Sequence, residues 1–412
     1  MKKKIIDSYK IIRSIDKGGF AQVYLVTDVK KEYALKLINS PRYINRIRQE
    51  AKALYVLNEY PNGLHFFKEK KLGEEYYFLF EYAEGGNLKK HIDTYGVLSE
   101  NETLVFLSKI IDILKFAKSK GLLHLDIKPA NILLHDGSYW LADWGLAEFK
   151  EEVDTLYIKG NPIFLAPETY KGKRTFASEV YALGCTLYFV ITGRNPFDLR
   201  NSMELELKMF LHTYCEVETI GIESNKIVYL LQRMLDKNPQ NRATIKELEE
   251  IINNDEVIKV QRKENNYPQN IAKIDVYERM AKDGIGYAQN ALGSLYAKGE
   301  EVSQDIEKAL ELFNASANNS LACGECSLGR FYRNPKAKIK DYEKAFFYLE
   351  RASIKGYNNA QYFLGLMYEE GMYVASSKEK SLFWYIESAK NGSRKAYSKL
   401  KTYNYVLQNE EV

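Results

Sequence analysis

At 412 residues the chain exceeds what one hydrophobic core usually serves, so two or more domains are expected. Its 59 basic and 55 acidic residues nearly cancel to +4, with no basic face concentrated enough to be the footprint of a nucleic-acid-binding protein. The opening Met1-Lys2-Lys3-Lys4-Ile5-Ile6 runs into Asp7, Ser8 and Lys10 instead of an apolar core, no run approaches a membrane span, and four cysteines are too few for a disulfide framework, so a soluble, cytoplasmic chain is expected.

Tyr9 to Ile38 reads as three strands: Ile11, Ile12 and Ile15, then Val23 to Val26, then Tyr33 to Ile38. Between the first two lies a glycine-containing turn, Asp16-Lys17-Gly18-Gly19-Phe20-Ala21-Gln22-Val23. Lys36 alternates with Ala34 and Ile38 on one face of an otherwise apolar strand, where a charge is costly unless paired. The next helix, from about Tyr43 to Asn58, carries Ile47, Ala51, Leu54 and Leu57 at helical spacing, and Glu50 falls on that stripe. Each charge answers the other's problem, so Lys36 and Glu50 are expected to pair.

Tyr76 to Phe80 forms another apolar strand, which runs through Glu81-Tyr82-Ala83 into the flexible Glu84-Gly85-Gly86. Ser99 with Glu102 makes a capping box, opening a helix through Phe106, Ile110, Ile113, Leu114 and Ala117 to a Gly121 stop. That helix leads to His124-Leu125-Asp126-Ile127-Lys128-Pro129-Ala130-Asn131-Ile132-Leu133-Leu134, an irregular turn that Pro129 keeps out of helix, followed by an apolar strand. Asp126 has the chemistry to accept a proton, Lys128 to hold a phosphoryl oxygen, and Asn131 to bind a hard cation. A further acid, Asp143 in Leu141-Ala142-Asp143-Trp144-Gly145, follows 12 positions after Asn131, and Ala166-Pro167-Glu168 ends 25 positions later still.

These motifs, in this order, resemble those of eukaryotic-like serine/threonine protein kinases. The resemblance implies an α+β, bilobal fold with an antiparallel sheet and a helix in the first lobe and a mainly helical second lobe. It implies ATP and Mg²⁺ between the lobes, with Gly18, Gly19, Val23, Ala34, Phe80, Glu81, Ala83 and Leu133 around the nucleotide. Lys36, held by Glu50, would take the α and β phosphates; Asp126 and Lys128 would act on the transferring group; Asn131 and Asp143 would hold the metal. Asp143-Trp144-Gly145-Leu146-Ala147-Glu148-Phe149 is like the corresponding stretch of the casein kinase II family, and Arg242 resembles the arginine that pairs with the glutamate at Glu168.

Departures from the family pattern carry expectations of their own. Asp16 and Ala21 stand where two loop glycines are usual. Leu125 replaces the arginine before the catalytic acid, which implies activity that does not depend on phosphorylation of Thr155 or Tyr157. Asn161, in Gly160-Asn161-Pro162, replaces a threonine and is expected to reach Asp126 or Lys128 through its amide; Glu179 replaces an aspartate that braces the catalytic loop, which is expected to sit slightly displaced.

Asn253 to Asn270 is charged and amide-rich and reads as a linker. Beyond it Leu292-Gly293, Leu328-Gly329 and Leu364-Gly365 recur every 36 residues, as do Tyr296, Tyr332 and Tyr368. A fixed period of this size marks stacked helix pairs, with second helices capped by Asp305, Asp341 and Ser377. The pattern resembles Sel-one-like repeats of the tetratricopeptide type, which implies an α-solenoid offering a surface to a protein or peptide. The expected layout is a kinase domain at 1–255, a linker at 256–270 and repeats at 271–412. Cys323 and Cys326 form a C-x-x-C pair with no second pair and no histidine after His212, so helix packing is expected there and not zinc or redox chemistry.

The expected function is phosphorylation of serine and threonine hydroxyls of protein substrates, with the repeats recruiting a partner or substrate. The alternatives are a pseudokinase scaffold, towards which Asp16, Ala21, Leu125 and Asn161 lean, and a small-molecule phosphotransferase. Nothing in the sequence distinguishes action in the chain's own cell from export to another.

Overall fold

The computed structural model describes residues 5–17, 21–38, 44–73, 75–149, 152–154, 160–254, 258–264, 267–268, 271–319, 321–334 and 340–403. The first lobe holds β1 (Ile5–Ile6), β2 (Tyr9–Lys17), β3 (Ala21–Thr27), β4 (Glu32–Ile38), α1 (Ile44–Leu57), β5 (Phe66–Leu72) and β6 (Glu75–Glu81). The strands form one antiparallel sheet in the order β1-β2-β3-β4-β6-β5. Alternation divides it into two faces. Val26, Leu35, Leu37, Tyr77 and Leu79 pack with Ile6 and Tyr9 on one. Ala34, Ile38, Phe78 and Phe80 pack on the other, against Ile47, Ala51 and Leu54 of α1.

The second lobe begins with α2 (Leu88–Tyr95), whose first turn is capped by Asn87, and α3 (Glu100–Ser119), opened by the expected Ser99–Glu102 capping box. Then come β7 (Leu122–Leu123), β8 (Ile132–His135), β9 (Ser138–Leu141), β10 (Glu148–Phe149), β11 (Glu152–Asp154) and β12 (Lys173–Thr175), which pair antiparallel as β7 with β10, β8 with β9 and β11 with β12. Pro129 does not exclude helix altogether: Pro129–Asn131 makes a single 3-10 turn, because a proline opening a turn lacks only an N–H that would have no partner there. Helix α4 (Phe176–Thr192) is buried on nearly every side and packs against α3 and α6 (Asn225–Met234); α5 (Leu205–Tyr214) and α7 (Ile245–Asn253) complete the lobe, α7 lying on α3 and α6.

The connecting segment lies against this lobe. The Thr219 N–H donates to the Lys263 carbonyl at 2.9 Å, the Glu218 N–H to the Tyr267 hydroxyl oxygen at 2.7 Å, and the Arg262 guanidinium to the Ile222 and Glu223 carbonyls at 3.0 Å.

Eight helices follow among the described residues: α8 (Lys273–Lys282), α9 (Gly286–Lys298), α10 (Ile306–Asn318), α11 (Ala322–Arg333), α12 (Tyr342–Ile354), α13 (Asn358–Glu370), α14 (Lys378–Lys390) and α15 (Arg394–Thr402). They form a helical solenoid. The 36-residue period has a packing cause. A Cβ on Gly293, Gly329 or Gly365 would come within 3.0 Å of Phe313, Leu349 or Tyr385 of the following helix, so each pair closes on a residue without a side chain. Asp305, Asp341 and Ser377 cap the second helices by accepting from the N–H three residues on. The middle unit ends its first helix on Asn334 in extended conformation, where its neighbours use left-handed Gly299 and Gly371.

The second lobe and the solenoid share a core. Leu165, Tyr170, Met209 and Phe210 cluster with Val276, Tyr277, Met280, Ala281 and Ile285, the first helix of the array lying on α5. Around this seam the Tyr214 hydroxyl donates to Asp283 at 2.5 Å, Arg279 stacks 4.2 Å from the Tyr214 ring, and Lys273 lies 3.4 Å from Glu206.

One buried group in the second lobe makes stability depend on pH. His212 of α5 is fully buried with its Nδ1 2.9 Å from the Tyr181 hydroxyl, and burial followed by the nearby Lys237 charge pulls its pKa down to about 3. Its folded pKa lies below its unfolded one, so its contribution is complete above about pH 6.5 and is lost as the pH falls towards 3. Over the two units from pH 6.5 to 4.5 the loss amounts to roughly 2 kcal/mol. Thermal melts of wild type and His212→Gln over this window test it; the variant's acid-side decline should be shallower by about that much.

Candidate functional site

Strand register gathers the first half of the site. Across β3, β4 and β6 the Cα partners are Val23–Lys36–Phe78 and Leu25–Ala34–Phe80, so Val23, Ala34, Lys36 and Phe80 share the sheet face that meets α1. Lys36 is 8% exposed and Glu50 0%, and the Lys36 ammonium lies 2.5 Å from Glu50 Oε1 and 2.8 Å from Asp143 Oδ1. Burial opposes the ammonium charge, but Asp143 and Glu50 outweigh it and raise the Lys36 pKa above the ordinary lysine value.

The second half is the turn after β7. Lys128 Nζ lies 2.5 Å from Asp126 Oδ2, while the Asn131 side-chain NH₂ donates to the Asp126 carbonyl at 2.9 Å and to Oδ2 at 3.0 Å. The halves are stitched together by the backbone, since the Ala142 N–H donates to the Asn131 carbonyl at 2.8 Å. Asp143, next in the chain, has a positive φ of 59° and a side chain 35% exposed. Trp144 is buried, with its indole N–H on the Leu141 carbonyl at 3.1 Å, so the ring is buried without an orphaned donor.

The segment from Gly85 to Asn87, between β6 and α2, pairs with β8. Leu133 bridges to Asn87, and Gly85 and Gly86 exchange backbone hydrogen bonds with Leu134 at 3.1 and 2.9 Å. Glu81 spends its N–H on the His65 carbonyl and its carboxylate on Lys31, both at 2.9 Å, while Ala83 is buried. Gly18 and Gly19 lie outside the described residues, as do Thr155 and Tyr157.

Some placements differ from expectation. Asn161 does not reach Asp126 or Lys128 among the described residues; its Oδ1 accepts from the Ile163 N–H at 3.1 Å, because a short amide two residues upstream of an N–H closes a local turn at little cost. Glu179 does brace the loop, accepting from the His124 N–H at 3.0 Å and the Leu125 N–H at 3.2 Å. Burial pushes the Glu179 carboxyl above the ordinary range, opposed by Arg174 and those two N–H groups. Glu168 and Arg242 form a bidentate pair at 2.6 and 2.7 Å, with the Ser178 hydroxyl also on Glu168 at 2.6 Å.

Two contributors were not singled out from sequence. His124 bridges the site: its Nδ1 accepts from the Asp126 N–H at 3.2 Å and its Nε2 lies 3.0 Å from the Ala142 carbonyl, an arrangement met by the neutral ring protonated on Nε2. Complete burial pulls its pKa down to about 4, which keeps it in that form. Arg174 donates to the Leu125 carbonyl at 2.8 Å. Cys323 and Cys326 are buried in α11, where burial pushes their thiols up to about 11 and about 12.

The donors around Asp143 suit a hard cation. With both Asn131 hydrogen bonds to Asp126 made by its NH₂, the amide oxygen is the atom this residue could offer a cation. No cluster of three or more His, Cys, Asp or Glu occurs among the described residues, and a small divalent ion that keeps several waters and takes phosphate oxygens needs no such cage.

Comparison with known proteins agrees with this geometry. The model of the protein kinase domain matches residues 9–252, and that of the Sel1 repeat matches 286–321, 324–357 and 358–393. The chain is 35% identical over 221 residues to serine/threonine-protein kinase PrkC of Bacillus subtilis (strain 168), covering 50% of this chain and 34% of the relative. It is 31% identical over 245 residues to serine/threonine-protein kinase RUNKEL of Arabidopsis thaliana, covering 58% of this chain and 18% of the relative. The chain thus spans about a third or less of the length of these curated relatives. Among the described residues no helix is long and apolar enough to cross a membrane.

Proposed function

Because the chain belongs to the protein kinase family, its kinase domain followed by Sel1 repeats, we propose that it transfers the terminal phosphoryl group of ATP to serine or threonine hydroxyls of protein substrates. The observation that carries this reading is the pair of charge-linked clusters, Glu50–Lys36–Asp143 and Lys128–Asp126–Asn131, joined through the Ala142–Asn131 backbone bond. A scaffold that only held partners would have no physical need for all six. Both relatives carry serine/threonine kinase names, and a lysine two residues after the acid fits that class.

In this reading Lys36, oriented by Glu50, binds the α and β phosphates, and the Glu81–Ala83 backbone binds adenine, with Phe80 at the rear of the pocket. Gly18, Gly19, Val23, Ala34 and Leu133 enclose the nucleotide. Asn131 and Asp143 hold Mg²⁺, which when bound neutralises phosphate charge. Asp126 orients the substrate hydroxyl and accepts its proton, and Lys128 steadies the migrating phosphoryl oxygens. Most of the acceleration comes from position and electrostatics. The solenoid binds a protein or peptide that is a partner or the substrate itself.

The test is incubation of the full chain with γ-labelled ATP, Mg²⁺ and a generic serine- and threonine-containing protein. Acid-stable label on serine or threonine is expected. Nucleotide binding without transfer would mean a pseudokinase scaffold, and faster labelling of a hydroxyl metabolite than of any protein would mean a small-molecule phosphotransferase.

A further inference from the structure

Leu125, immediately before Asp126, is a non-glycine residue in the left-handed region, with φ +67°. A branched side chain there is unfavourable and persists only where the surroundings over-determine the backbone. The surroundings here grip the residue from three sides. Its side chain is buried with Leu123, against Leu146 and Phe176. Its N–H donates to both Glu179 oxygens, at 3.2 and 3.3 Å. Its carbonyl accepts from Arg174 Nη2 at 2.8 Å.

We propose that Arg174 is a positioning residue for the catalytic loop: with Glu179 it clamps the Leu125 peptide from opposite ends and so fixes where the Asp126 carboxylate sits. The two jaws are themselves an ion pair, 3.9 Å apart with side chains 3% and 1% exposed, and they come from different elements, β12 and α4. A buried guanidinium costs too much to hold without partners, and the carboxylates of Asp126, Glu168 and Glu148 add to that of Glu179 around it. Gly160 leaves the space this needs: a Cβ there would stand 3.1 Å from the Leu125 carbonyl oxygen and 3.4 Å from Asp126 Oδ1.

Arg174 thereby supplies, from 49 residues downstream, a cation beside a loop whose own position 125 is leucine. It is also the register partner of Val153, so its backbone is paired to the segment between Asp143 and Ala166 while its side chain holds the loop. At 2% exposure it is closed to a phosphate on that segment, so the clamp is permanent and needs no modification to form.

The kinetic test rests on the kinase reading; the exchange test does not. In the full chain, Arg174→Met should lower kcat by about 10–100-fold, the penalty for a slightly misplaced catalytic group, and leave KM for ATP unchanged. Arg174→Lys, which keeps one donor, should recover part of that loss at an equal melting temperature. Hydrogen exchange at the 124–126 amides should quicken in Arg174→Met and less in Arg174→Lys. Unchanged kcat and exchange in Arg174→Met would overturn the clamp, as would equal losses in kcat and ATP affinity that the lysine variant does not relieve. If Arg174→Met fails to fold, Arg174→Lys decides by the same two readouts. Wild-type chain that transfers no phosphoryl group would sink the kinase reading alone, and faster exchange in the variants would still support the clamp.

Discussion

Residues 1–268 alone are expected to aggregate, or to melt at least about 10 °C below the full chain. This cut keeps the connecting segment, with its hydrogen bonds from Thr219 and Glu218, and removes only the solenoid. It uncovers Leu165, Tyr170, Met209 and Phe210, which are 0–5% exposed in the shared core. Fully burying side chains of this kind is worth roughly 1.5–3 kcal/mol each, so up to about 6–12 kcal/mol rests on the seam. A domain of ordinary stability has only about 5–15 kcal/mol in total. The uncovered patch would also sit at the end of the segment that leads from Asp143 to Glu168, so surviving soluble protein should have low activity. Melts of both forms, with a dye that reports exposed apolar surface, check this; a truncated form that melts with the full chain and binds no dye would show that the seam contributes little.

What the sequence disclosed depended on whether a residue broke a pattern. Lys36 and Glu50 were conspicuous because each put a charge on an apolar stripe, one of period two and one of period 3.6, and their pairing followed from cost. The glycines at 293, 329 and 365 were visible through their period, and the capping residues through their place ahead of each second helix. Arg174 broke nothing. It sits in Gly172-Lys173-Arg174-Thr175, a polar stretch where an arginine is read as solvated, and only the fold brings it to Leu125. The shared core was equally silent, since Tyr170 and Met209 are apolar in a lobe that needs apolar residues and carry no mark of which side they face. The Lys36–Asp143 contact is not legible for another reason: the family resemblance gives Lys36 to the phosphates and Asp143 to the metal, and it points to no bond between the two.

Replacing Asp126 by alanine is expected to lower kcat by about 10²–10⁴-fold, the usual contribution of a placed general base, while leaving ATP affinity and melting temperature close to wild type. The affinity should hold because Asp126 is bonded to Lys128 and Asn131 and to neither Lys36 nor Glu50, which are linked to each other and to Asp143. Stability should hold because the loop keeps its other ties: Glu179 to the His124 and Leu125 N–H groups, Arg174 to the Leu125 carbonyl, and His124 between the loop and Ala142. The loss should exceed that of Arg174→Met, since alanine removes the reacting carboxylate and the methionine only its support. Lys128 and Asn131 each lose a partner in Asp126→Ala, so asparagine at 126, which keeps an oxygen for both, separates proton acceptance from positioning: if Asp126→Asn is as slow as Asp126→Ala, the proton matters most. Steady-state kinetics with labelled ATP at fixed protein substrate measure all three variants. Wild-type turnover in Asp126→Ala would remove this carboxylate from the reaction and leave the Lys36–Glu50–Asp143 cluster as a nucleotide site without its base.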